Sequence, residues 1–256
     1  LGAAHTALAV VALVREDYAG AAAEAEAALA IDPADVRAMQ LRFEAYRLAG
    51  DTEKAAAAAA ALREIGDLDD ATARIFNEGV EAFNAKRSGE AISKFKQVIE
   101  LDPSNVPAHL ALAQISLTQG APAEAYSMAK KAIELEPDNT RALKLAFDGA
   151  RLSGNTAAAG AALDRLVELD PDWLGTTVYE HAAQLFNSNE PEAAAFELGY
   201  VVKAHPELAR AHFMLGVALF NSGRADEGRA HLETFLELAP EDPDAEVARG
   251  LLSYRE

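Results

Sequence analysis

Six prolines, each closing a short run of acidic and apolar residues, divide this 256-residue sequence at almost equal steps. They stand in "AIDP" at Pro33, "ELDP" at Pro103, "ELEP" at Pro137, "ELDP" at Pro171, "KAHP" at Pro206 and "ELAP" at Pro240, at intervals of 70, 34, 34, 35 and 34 residues. The first interval is two periods plus two residues, and a silent junction falls at "REIGD", with Asp67 where a proline would stand. Seven copies follow, over about 2–35, 36–69, 72–105, 106–139, 140–173, 175–208 and 209–242, with a tail over 243–256. A unit of this size cannot bury its own apolar face, so copies must stack and share one core.

The columns of the repeat say what each unit is. About twenty residues into successive copies stand Ala21, Ala55, Ala91, Ala125, Ala159 and Ala194, with Gly228 in the last. The eighth column is small in Ala9, Gly79, Ala113, Ala182 and Gly216, which lets two helices approach closely. Phe95, Leu163, Leu198 and Leu232 supply bulk to the inner face of a second helix. Gly50, Gly120, Gly154 and Gly223 fall midway, where a first helix has to stop and turn. Alanine makes up 59 of the 256 residues and β-branched residues are sparse, so each copy reads as helix, turn, helix.

This pattern resembles the tetratricopeptide repeat family over nearly the whole chain. The period, Leu215-Gly216, the alanine columns and the terminal prolines carry the resemblance. It implies an all-α fold, a right-handed superhelical α-solenoid of stacked helix-turn-helix repeats with the first helices lining a concave face. Phe43 and Phe147 depart from it in the small eighth column, and Arg42 replaces leucine, so the second and fifth copies are expected to pack less regularly. The tail places Val247, Leu251 and Leu252 on one stripe and reads as a capping helix. The first helix is crowded with Val10, Val11 and Val14 and has no polar cap. With a leucine as first residue, the reading expects this to be a fragment, with another repeat or a partner upstream.

Several activities are excluded or left without a signature. The formal charge of −18 disfavours nucleic acid and anionic lipid as partners. The apolar opening "LGAAHTALAVVALV" is too short to span a bilayer and lacks a basic flank, so no membrane insertion is expected. No cysteine is present, so disulfides, thiolate metal sites and cysteine nucleophiles are ruled out, while the compartment stays open. The histidines, His5, His109, His181, His205, His212 and His231, form no HxxxH pair, and His109 with His212 share a column that suits packing. "GNTAAAG" lacks the Lys-Ser/Thr of a phosphate loop, and no GxSxG motif occurs. Neither an enzyme nor a cofactor site is expected.

In the family resemblance, the second, fifth, ninth, twelfth and thirteenth columns of each first helix face the groove. These columns hold Phe76, Phe83 and Asn84 in the third copy, and Arg141, Lys144 and Arg151 in the fifth. The sixth contributes Tyr179, Phe186 and Asn187, and the seventh Arg210, Phe213, Phe220 and Asn221. The second copy offers Arg37, Gln40, Glu44 and Arg47. Aromatics and arginines concentrate binding energy at interfaces, and asparagine amides can pair with a peptide backbone. Each has a structural alternative: the twelfth-column aromatics pack between neighbouring first helices, the asparagines cap helix ends, and Glu44–Arg47 and Asp148–Arg151 are i,i+3 pairs on a solvated face. The second and fifth copies match closely at an offset of 104, and Phe83-Asn84 recurs as Phe186-Asn187, which gives a three-repeat superperiod. A clamp on a C-terminal carboxylate, one binding mode in the family, is not supported, because Lys144 has no ninth-column asparagine to work with.

The expected function is a non-catalytic scaffold that takes an apolar, partly acidic peptide or protein segment into its groove. Two alternatives are the regulatory or assembly region of a larger enzyme or envelope complex, and self-association through the N-terminal face.

Overall fold

The computed structural model describes residues 1–64 and 67–253, without the side chains between 63 and 71; much of the "REIGD" junction and the end of the tail lie outside the described residues. All regular structure among the described residues is helical. The chain forms two compact units, Leu1–Ile115 and Ser116–Glu256. Within each, helices pack as antiparallel pairs on their chain neighbours, α1 (Gly2–Val14) on α2 (Tyr18–Ile31) and α14 (Ala209–Asn221) on α15 (Ala225–Leu238) for example.

Local chemistry starts and stops these helices. Asp17, Asp35, Asn139 and Asn155 cap them by accepting from the backbone N–H three residues on. Each of the six prolines takes the second place of a four-residue turn, closed by bonds such as Asp35 N–H to Asp32 O and Leu208 N–H to His205 O. Between the two helices of every copy stands one residue in the left-handed region: Glu16, Gly50, Lys86, Gly120, Gly154, Asn189 and Gly223, with φ between 59° and 76°. Four of the seven are glycine, for which this conformation carries no Cβ penalty.

The eighth-column rule is enforced sterically. A Cβ on Gly216 would lie 2.7 Å from Leu232, and one on Gly79 would lie 2.9 Å from the Phe95 ring. The second copy inverts the arrangement instead of loosening. Phe43 is buried against Ala55, Ala58, Ala59 and Leu62, with Ala59 standing in the column where Phe95, Leu163, Leu198 and Leu232 supply bulk. In the fifth copy Phe147 is buried and meets Trp173 edge-on, ring centroids 5.7 Å apart. Burying one such side chain is worth about 2 kcal/mol.

Two findings differ from the sequence reading. The helix of the sixth copy starts at Pro171 rather than Gly175: α11 (Pro171–Trp173) runs through a π-helical turn (Leu174–Val178) into α12 (Tyr179–Asn187). The interval of 35 between Pro171 and Pro206 contains one residue too many, and a π turn is how a helix absorbs one. In the tail, α16 (Ala245–Ser253) turns Ala245 and Ala248 inward, while Val247 is 51% exposed. Small residues allow α16 to sit close to α15, where Arg229 donates to the Leu252 carbonyl at 2.8 Å.

Candidate functional site

In the first unit, α3 (Val36–Leu48) sets Arg37, Gln40 and Glu44 on one face by the i, i+3, i+7 spacing of a helix. They border a cavity of about 330 Å³ with an apolar floor that includes Leu13, Leu41 and Phe43. Arg74, from α5 (Asp67–Asn84), also lines it. Arg37 reaches Gln40 Oε1 at 3.4 Å, and neither Arg37 nor Arg74 has a carboxylate partner among the described residues. Arg47, by contrast, is held by Glu44 at 2.5 Å and Glu100 at 3.6 Å. Phe76 is half-buried with its ring 5.3 Å from Phe95. Phe83 is 37% exposed, and Asn84 beside it is exposed.

In the second unit most of the expected basic residues are already paired. Lys144 meets Asp170 at 2.5 Å and lies 5.2 Å from the Trp173 ring centre. That ion pair holds the Asp170 carboxyl below its usual range. Arg210 is bound by Asp244 and lies 3.8 Å from Asp242, with its guanidinium 5.1 Å from the Phe213 ring. Of the expected site cations in this unit, Lys144, Arg151 and Arg210 each find an acid, and Arg141 has none among the described residues. Phe213, 6% exposed, packs on Phe235 and leaves little surface for a ligand. Phe220 lies against Gly228 and under Arg229, on the second helix of its own copy. The Tyr179 hydroxyl is 3.8 Å from Met214 Sδ, so this ring packs between adjacent first helices. Phe186 is half-buried; Asn187 and Asn221 are exposed, and no side-chain bond ties Asn84, Asn187 or Asn221 among the described residues.

A polar cluster that the sequence reading did not single out joins the fifth and sixth copies. His181 Nδ1 lies 2.6 Å from Glu197 Oε2, and His181 Nε2 lies 3.0 Å from Arg151 Nη1. Arginine can only donate, so Nε2 accepts, and the Nδ1 proton goes to Glu197 from a neutral imidazole. Arg151 Nη2 also approaches Asp148 at 3.6 Å. Glu197 is 2% exposed, and burial pushes its carboxyl above the usual range against the opposing pull of His181 and Arg151. Burial raises Asp148 in the same way. The signal available in the sequence was the column pair: its two places are apolar in Leu112/Met128 and Ala146/Ala162, but polar in Glu78/Lys94 and His181/Glu197.

The remaining histidines have structural duties. His109 and His212 are buried and hydrogen-bond the carbonyls of Pro103 at 3.0 Å and Pro206 at 3.1 Å, which ties a first helix to the turn before it. Among the described residues no three His, Asp or Glu side chains converge as a metal ion requires, and no helix is long and apolar enough to cross a membrane.

Helix pairs of nearly constant period, packed through alanine columns with polar and aromatic residues left on the first helices, define an α-helical repeat protein. Residues 82–145 and 179–245 each match a family model described as tetratricopeptide repeat, together just over half of the chain. The chain belongs to the tetratricopeptide repeat family, whose repeats generally mediate protein–protein interaction and are typically non-catalytic. No curated protein matches its sequence significantly. Among solved structures it is similar to the MamA protein at 22% identity, covering 68% of this chain and 94% of that one, with a TM-score of 0.47. YrrB, described as a TPR protein with an unusual peptide-binding site, is similar at 19% identity over 69% of this chain and 90% of that one, with a TM-score of 0.45. TTC0263, a thermophilic TPR protein of Thermus thermophilus, is similar at 18% over 72% and 100%, with a TM-score of 0.39.

Proposed function

We propose that this chain is a non-catalytic scaffold that binds an apolar, partly acidic protein segment on the faces of its first helices. The observation that carries the reading is the cavity of about 330 Å³ in the first unit. It offers an apolar floor for one side chain and, in Arg37 and Arg74, two cations with no acid partner among the described residues, on an otherwise acidic protein. Phe83, followed by Asn84 with no side-chain bond among the described residues, is the further contact assigned to the segment in the first unit, and Phe186 with Asn187 is a separate candidate contact in the second unit taken by itself. Lys144, Arg151 and Arg210 serve as structural ion pairs in this reading, and Arg141 as an open contact.

The test is peptide display on the chain, with counter-selection on an Arg37→Glu/Arg74→Glu variant. Both positions are exposed, so the variant should keep wild-type helicity. Peptides pairing a large apolar residue with Asp or Glu should be retained by the wild type and lost by the variant. Retention of one and the same set by both would refute the assignment.

A second reading, self-association, is favoured by the apolar surface of α1, where Leu8, Val11 and Val14 are exposed, Val14 by 80%. Sedimentation over a concentration series, compared with a Val11→Lys/Val14→Lys variant, separates the two.

A further inference from the structure

We propose that a second cavity, of about 450 Å³ between the fifth and sixth repeats, is a socket for a lysine side chain presented by a protein partner. This inference is independent of the first-unit cavity and of the groove aromatics. The cavity is lined by Arg151 of α9 (Thr140–Leu152), His181 and Leu185 of α12, and Glu192, Phe196 and Glu197 of α13 (Pro191–Ala204), with Glu190 just before α13.

Its charges do not balance. Glu197 gives one carboxylate oxygen to His181, while Oε1 has no hydrogen-bond partner among the described residues. The neutral imidazole supplies no countercharge. Arg151 answers Asp148, and its guanidinium lies 5.7 Å from the Phe147 ring centre. Glu190 and Glu192 are exposed and have no cation partner among the described residues. The first turn of α13 favours acids at those two positions through the helix dipole. The dipole does not account for Glu197, nearly two turns further in and only 2% exposed, on the wall of the cavity. A buried carboxylate favours a paired cation, and burial raises the Glu197 carboxyl further than His181 and Arg151 draw it down.

The geometry also selects the cation. Only one oxygen of Glu197 is free, which suits the point charge of an ammonium and not the two-pronged fork of a guanidinium. Leu185 and Phe196 provide apolar walls along which a lysine can lay its methylenes, with Glu190 and Glu192 completing the negative surroundings.

The experiment follows backbone and imidazole resonances of the isotopically labelled chain during titration with Nα-acetyl-lysine methylamide. The uncharged norleucine analogue, the glutamate analogue and n-butylamine are titrated in parallel. Saturable shifts at His181, Ala193, Phe196 and Glu197 are expected with the lysine probe, weaker by about tenfold in a Glu190→Gln/Glu192→Gln variant, in line with loss of favourable charge contacts. Both substitutions are at the surface, so unchanged melting keeps the comparison interpretable. Norleucine binding as well as lysine would overturn the proposal, as would saturation by the glutamate probe alone, which would make Arg151 the receptor. Tighter binding of n-butylamine than of capped lysine would move the source to a free amine and overturn the protein partner. Saturation by none of the four would overturn the site itself.

Discussion

The third and sixth repeats repeat one set of choices 103 residues apart. Each ends its first helix on Phe-Asn, at Phe83-Asn84 and Phe186-Asn187, and each turns through a non-glycine left-handed residue, Lys86 or Asn189. Each also replaces an apolar contact between its helices with a polar pair, Glu78–Lys94 at 2.5 Å and His181–Glu197 at 2.6 Å. The outcomes diverge. Lys94 and Glu78 both keep contact with solvent, whereas Glu197 is buried in a cluster with Arg151 and Asp148 from the preceding repeat. Column position decides which side chains meet, and the neighbouring repeat decides whether the meeting is wet or dry. An exposed pair is worth little, while a buried one is costly to break.

The largest contrast is therefore expected when each pair loses its nitrogen partner. His181→Ala leaves Glu197 buried without its hydrogen bond and should cost about 3 kcal/mol, whereas Lys94→Ala should cost under about 1 kcal/mol. Urea midpoints of the two variants measure the difference, and equal losses would break the distinction. The eighth column comes next. Gly79 has the Phe95 ring where a methyl would go, and Phe95 is fully buried, so Gly79→Ala should destabilise by about 1–2 kcal/mol through overpacking. The sixth repeat already carries Ala182 in this place, and Ala182→Gly should cost roughly 0.5–1 kcal/mol through helix propensity alone.

Much of this architecture was legible in the sequence, for a physical reason: stacked helix pairs reuse the same steric demands, and reuse shows up as columns. The prolines mark the turns, and Gly50, Gly120, Gly154 and Gly223 mark the left-handed residues. What escaped depended on departures from the columns. One extra residue before Gly175 became a π turn, Phe43 found Ala59 opposite it, and the alanines of α16, not Val247, turned inward. The site was less legible, because exposure and pairing depend on neighbours a column does not show. Phe213 and Phe220 share groove columns with open residues, yet they pack on their own second helices, and Lys144 and Arg210 are claimed by Asp170 and Asp244.

The two left-handed turns give a smaller effect of opposite sign. Lys86 at φ 59° carries a Cβ penalty, so Lys86→Gly should raise stability by about 1 kcal/mol, offset in part by the greater freedom of glycine in the unfolded chain. Asparagine tolerates this conformation better, so Asn189→Gly should gain no more than about 0.5 kcal/mol. Thermal melting of the two variants ranks them, and a larger gain at Asn189 would show that its backbone is strained for another reason.

The last contrast is in the slope of stability with pH. In the folded chain Glu197 lies above its ordinary value of 4.5, chiefly through burial, facing His181 and Arg151 as well as Asp148, which is raised too. The folded state thus holds a proton that the unfolded state has already released. That contribution is fully present below about 4.5 and is lost as pH rises through the raised folded value. Replacing Glu197 by glutamine keeps the shape and removes this titration, while Asp148 stays in both proteins. The stability of the variant relative to wild type should therefore rise with pH from about 4.5 upward and level off once Glu197 is ionised in both states. A slope in the Glu197→Gln variant equal to that of wild type would mean that Glu197 has water or a cation beside it in solution, and the buried setting that separates the sixth repeat from the third would have to be given up.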